Sequence, residues 1–176
     1  MPTDPPAFEI RSVTREEAPA WRELRAEALK NHPAAFMSAY EDFILLDEET
    51  VAARIPPPGG ADVLFGVYAA GVLSGCAGFL REVGLKERHK GYMWGVYLRP
   101  MLRGTGAGEA LVAAVIDQAS RHVEILRSAV STENLGARAL YLRMGFHTYG
   151  IEPRALRTGG RDYDDELLAL VFESRA

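Results

Sequence analysis

The chain carries one cysteine, Cys76, in 176 residues. A lone thiol excludes an internal disulfide and suits a reducing cytoplasm, which is the expected compartment. Positive charge is also in short supply. Lys and Arg number 20 against 24 Asp and Glu, a net charge of -4, and a general nucleic-acid binder usually carries a basic face. The histidines His32, His89, His122 and His147 show no metal-ligand spacing. No G-x-S-x-G elbow marks a serine hydrolase. Internal repeats and low-complexity tracts are missing as well. The opening "MPTDPPAFEI" has neither the basic nor the apolar region of a signal peptide, and residues 1–7 read as a flexible tail.

A long apolar run is present but broken. "VLFGVYAAGVLSGCAGFL", residues 63–80, has no charge over eighteen positions, near the lower length of a membrane helix. Gly66, Gly71, Gly75 and Gly78 punctuate it, and no basic cluster flanks it. It reads as two strands, 63–69 and 72–80, joined by a tight turn at Ala70-Gly71. Uncharged strands of this kind belong in a sheet covered on both faces. No membrane span is expected.

What remains is an ordinary globular composition, 48% hydrophobic and 25% charged. "FEIRSV" opens as a strand. "TREEAPAWRELRAEAL" follows as a helix with Ala18, Trp21, Leu24, Ala28 and Leu29 at helical spacing. Thr14 and Glu17 have capping-box spacing, yet Pro19 would sit too deep in a helix begun there, so the helix is expected to start near Ala18. "HPAAFMSAYEDFILLDEETVAARI" reads as one or two further helices, ended by "PPPGG". After the hairpin come the strand "GYMWGVYL", a helix with Leu111, Val112, Val115, Ile116, Ala119 and Val123 in one stripe, and the strand "EILRSAVS". The helix "NLGARALYLRM" and two strands around the turn "TGGR" close the chain. The order predicts a single α/β (α+β) domain with a mixed sheet.

"LRPMLRGTGAGEAL", residues 98–111, packs Gly104, Gly106 and Gly108 between a strand and a helix. Backbone N–H groups and the helix dipole at such a junction can hold a phosphate. A P-loop is excluded because no Lys followed by Ser or Thr comes after these glycines. A dinucleotide fingerprint fails at position 109, which is Glu. The pattern [RQ]-x-x-G-x-[GA] is met by Arg103, Gly106 and Gly108, and twenty-six residues past Gly108 begins "NLGARALYLRMGF", Asn134 to Phe146.

These two blocks, with their separation, resemble the GNAT superfamily of N-acetyltransferases. The likeness covers roughly residues 8–173, including the final hairpin and the segment "EALKNHPAAFMSAYEDF". It implies a mixed sheet in which two neighbouring parallel strands, 91–98 and 124–131, splay apart. It implies acetyl-CoA as cosubstrate, with the backbone of Val96, Tyr97 and Leu98 pairing with the pantetheine arm. Arg103, Gly104, Thr105, Gly106, Ala107 and Gly108 would cradle the pyrophosphate, and Asn134 would both cap a helix and contact the cofactor. Gly95 is compatible with a bulge.

Acetyl transfer needs a neutral amine and an acid for the leaving thiolate. The resemblance gives Tyr141 the acid role, though its spacing from Ala137 and Met144 also suits core packing. The base is open among Glu82, Glu133 and water. Cys76, in an apolar strand without a nearby His, reads as a core residue. The expected reaction is direct transfer to a primary amine, small molecule or peptide, in a ternary complex. The alternative is an acyl-CoA-binding sensor without turnover. The resemblance places the acceptor between Phe36, Met37 and Tyr40 and the hairpin from Arg154 to Asp165. There the cluster Asp162, Asp164, Asp165 and Glu166 fits either an amine-attracting site or a charged turn. A homodimer is left open.

Overall fold

The computed structural model describes residues 7–173; residues 1–6 of the expected tail lie outside them. One seven-stranded sheet, in the order β1-β2-β3-β4-β5-β7-β6, is flanked by five α-helices. β1 (Phe8–Ser12) leads through a 3-10 turn into α1 (Ala18–Asn31). The Thr14/Glu17 capping box forms around that turn, and Pro19 falls in the first turn of α1, where its missing N–H costs nothing. The helical stretch that follows resolves into short α2 (Tyr40–Ile44) and α3 (Glu48–Ala53), the latter capped by Asp47 accepting from the Thr50 amide at 2.7 Å.

β2 (Val63–Ala69) and β3 (Val72–Arg81) pair across Ala70 and Gly71, both at positive φ, 48° and 78°. β3 is buried on both faces because two cores meet there. Val67, Ala77, Phe79 and Met93 pack under α4 (Ala107–Ser120) and α5 (Leu135–Arg143), while Leu64, Cys76 and Tyr97 pack under α1, α2 and α3. Val123 joins the first core from beyond the end of α4, and Ile116 is only partly buried. Gly78 is a slot for a ring: a Cβ there would lie 2.1 Å from Trp94 Cε2.

β4 (Lys90–Leu98) and β5 (Ile125–Ser131) run parallel, whereas every other pairing is antiparallel. Their ladder holds only for Lys90 to Tyr92 against Ile125 to Arg127. Beyond Tyr92 the strands part. β6 (His147–Thr158) and β7 (Arg161–Val171) form the final hairpin around Gly159 and Gly160, at φ 58° and 74°, and β7 lies against β5. Among the described residues no helix is long and apolar enough to cross a membrane.

Candidate active site

The site is built around the parted strands. On β4 the register against β3 jumps from Cys76↔Tyr97 to Gly78↔Trp94, so Gly95 and Val96 form a bulge with Gly95 at φ 65°. The expected splay is therefore present, and its open edge runs along β4 from the bulge to Leu98. The side chains of Val96 and Leu98 pack into the core under α4. Tyr97 turns the other way and donates its hydroxyl to Glu27 on α1 at 2.8 Å. Tyr97 thus offers the gap only main-chain atoms, because its ring is spent anchoring α1 to the sheet.

At the end of β4 the glycine loop divides into two kinds of position. Gly104 and Gly106 stand at φ 75° and 88°, with no atom within 4 Å of where a Cβ would be. They combine left-handed backbone with open space, which is what a ligand approaching the main chain requires. Gly108 differs: a Cβ there would meet Leu98 Cδ1 at 3.3 Å and Leu140 Cδ2 at 3.5 Å, so this glycine lets α4 approach β4 and α5. Thr105 fastens the loop by donating to the Leu102 carbonyl at 2.7 Å, and its Oγ1 accepts from the Ala107 amide at 3.4 Å. Ala107 is fully buried. Arg103 folds back, Nε donating to the Leu98 carbonyl at 3.3 Å and Nη2 reaching His32 Nε2 at 3.2 Å. The remaining amides of the first turn of α4 have no intrahelical acceptor, and an acidic group there is favoured by the helix dipole.

Tyr141, on α5, is 4% exposed and packs beside Phe146 with ring centroids 5.8 Å apart. Burial and the neighbouring Tyr92 phenol push its hydroxyl up, so it stays protonated at neutral pH. Tyr92 itself leans from β4 toward the Ala129 backbone and feels Asp165 and Tyr149. Phenols from both faces thus meet at the parting of the strands. Asn134 caps α5, its Oδ1 accepting from the Ala137 amide at 3.2 Å.

The other carboxylates sort themselves by partner. Glu82 pairs with Arg127 at the closed end of the splay, and Glu133 pairs with Arg161 on the surface. The acidic cluster is split by strand alternation. Asp162 pairs with Arg157, and Asp164 accepts from the Arg154 amide at 2.8 Å. Glu166 faces α5 and pairs with Arg138. Asp165 alone is buried with an oxygen, Oδ1, that has no hydrogen-bond partner. Phe36, Met37 and Tyr40 line a cleft of about 250 Å³ whose far wall is Leu156 to Thr158, where the acceptor segment was expected. Among the described residues no group of three or more His, Cys, Asp or Glu is placed to hold a metal.

One residue escaped the sequence reading. Arg25 lies on the buried stripe of α1, four positions after Trp21 and three before Ala28. A charge on an apolar stripe was the available signal.

The site thus joins a glycine loop between β4 and α4, a splayed parallel pair and a buried phenol near the gap. The sequence model of the acetyltransferase (GNAT) family matches residues 11–146, and the chain belongs to that family. Acetyl-CoA is the acetyl donor of its members. No curated protein matches the sequence. Among solved structures, the chain is similar to YncA, a putative acetyltransferase from Salmonella typhimurium with its cofactor acetyl-CoA (21% identity, TM-score 0.83, covering 97% of this chain and 96% of that one). It is similar also to a GNAT-family acetyltransferase from Streptococcus pneumoniae (21%, 0.81, 94% and 100%). The ribosomal-protein-S18-alanine N-acetyltransferase from Escherichia coli shares the fold at 22% identity and TM-score 0.70, with 97% of each chain covered.

Proposed function

We propose that the protein, a single domain over residues 8–173 working in the cytoplasm, transfers an acetyl group from acetyl-CoA to a primary amine by direct attack in a ternary complex. The observation that carries this is the bulged, parted edge of β4 with a buried, protonated Tyr141 beside it. Gly104 and Gly106 would receive the pyrophosphate, and the main chain of Val96 to Leu98 would pair with the pantetheine amides. Bound there, acetyl-CoA supplies a thioester whose carbonyl carbon accepts the amine nitrogen and whose sulfur leaves with the C–S electron pair. Tyr141 hands its phenolic proton to that sulfur and is reprotonated, through water, by the proton the acylated nitrogen must lose. The amine must shed its own proton first, since an alkyl ammonium has a pKa of about 10.4. Neither Glu82 nor Glu133 suits that step, because each is already held by an arginine.

The test is Tyr141→Phe. Loss of a general acid predicts a fall in kcat of about 10²- to 10⁴-fold with acetyl-CoA affinity retained. A variant that turns over normally at every pH ends the acid assignment. A wild type that binds acetyl-CoA but releases no CoA with any amine supports the sensor instead.

A further inference from the structure

Two charges of opposite sign are buried on the α1 side of the sheet, and among the described residues neither has a countercharge. Arg25 is 8% exposed, and its Nη1 has no hydrogen-bond partner. The guanidinium lies over the Phe36 ring, 4.5 Å from its centroid. That covers one face of the group but leaves the in-plane N–H donors unanswered. Its charged neighbour is a second cation, Arg54, and the adjacent Cys76 thiol is neutral. A buried, unanswered cation is costly, and arginine cannot escape the cost by losing its proton. What the Nη1 atom does border is the β4 bulge. A Cβ placed on Gly95 would meet Arg25 Nη1 at 3.6 Å and no other atom within 4 Å.

Asp165 mirrors this arrangement. It too is 8% exposed, with Oδ1 unanswered. Its charged neighbours are Glu152 and Asp164, both acidic, and they add to burial in holding its carboxyl above the ordinary range. Asp165 stands opposite Ser131 on β5, while Tyr92 stands opposite Arg127, and alternation along β5 places Ser131 and Arg127 on one face. Asp165 and Tyr92 therefore share the face that Arg25 covers. Tyr92 and Gly95 are three residues apart on β4, about 10 Å at the usual strand rise.

We propose that the acceptor is an amino acid: Asp165 faces the ammonium that becomes the nucleophile, Arg25 holds the acid group, and the stretch of β4 from Tyr92 to Gly95, along which the strands begin to part, lies between them. The proposal deepens the transferase reading and rests on it. The ammonium gives one proton to the Asp165 carboxylate. The freed lone pair forms the new N–C bond as the C–S bond breaks; the thiolate takes its proton from Tyr141, the acylated nitrogen's second proton returns through water to that phenolate, and Asp165 releases its proton to solvent. A carboxyl whose basicity is raised by burial is better matched to that proton than an ordinary aspartate.

The experiment follows CoA release from acetyl-CoA with free amino acids, each beside its own carboxamide and a peptide that begins with it. Wild type is expected to favour the amino acid over the carboxamide by about tenfold or more in kcat/KM, the scale of a charged hydrogen bond. Arg25→Met keeps the bulk and removes the charge, so it should erase that preference while the acetyl-CoA-induced rise in Tm stays unchanged. Arg25→Lys should restore part of it. Asp165→Asn should lower kcat for amino acids and carboxamides alike. Equal use of carboxamides or peptides by wild type, or a preference that survives Arg25→Met, overturns the proposal and leaves the transferase reading intact. If no amine releases CoA, the transferase reading fails, and the amino acids are titrated against the CoA complex by thermal shift. Stabilisation that disappears in Arg25→Met upholds the binding site, and no stabilisation overturns it.

Discussion

Cys76 shows how much a residue's surroundings decide about its chemistry. The thiol is 1% exposed, points toward the Gly95 carbonyl at 3.5 Å, and is pushed up to about 11 by burial. At pH 8 such a group is about one part in a thousand thiolate, against about one in four for a thiol at 8.5. The folded protein is expected to resist iodoacetamide at pH 8, while the urea-unfolded chain labels readily; mass spectrometry of the two samples reads the difference. Rapid labelling of the native protein would contradict the burial. The core role of Cys76 was legible from an apolar strand with no nearby His. Arg25 was legible only as a charge on the apolar stripe of α1; that it is buried without a partner depends on how α1 packs against β3. Asp165 was visible only as one of four acids. Pairing told them apart, and pairing depends on β6, α5 and the hairpin turn, which no local pattern reports.

At the scale of elements, the hairpins and helix starts were the most readable features. Ala70-Gly71 and Gly159-Gly160 are turns whose left-handed backbone favours glycine, and Pro19, tolerated only in a first turn, puts the start of α1 at Ala18. The three glycines of the 104–108 loop looked equivalent in sequence, yet only two stand at positive φ over open space. Gly106→Ala separates backbone strain from ligand approach. Forcing an alanine into that conformation costs about 1–2 kcal/mol, a loss of a few degrees in Tm for a chain of this length. The added methyl also occupies the space above the loop. The rise in Tm on adding acetyl-CoA should therefore shrink in Gly106→Ala well beyond what the lower starting Tm accounts for. An undiminished rise would remove the loop from the binding site.

For the whole molecule, the relevant fact is a sheet held together at its middle by three residue pairs between β4 and β5. A ligand that bridges the parted strands binds only the folded state, and at a hundredfold excess over its dissociation constant it adds about 2.7 kcal/mol. For this length the midpoint should rise by roughly 5 to 10 °C. Acetyl-CoA should produce that rise and NAD and ATP should not; a rise with NAD alone would point to a different cofactor. The same parted edge bears on how the chain can change over generations. From Trp94 to Leu98 it presents main-chain N–H and C=O groups, which every residue but proline carries. The donor recognition proposed for this edge is therefore indifferent to most codon changes. The acceptor contacts proposed on the α1 face have no such protection, since Arg25, Tyr92 and Asp165 are single side chains on three separate elements. With the sites as proposed, mutation can redirect the acceptor one residue at a time while the donor is inherited unchanged.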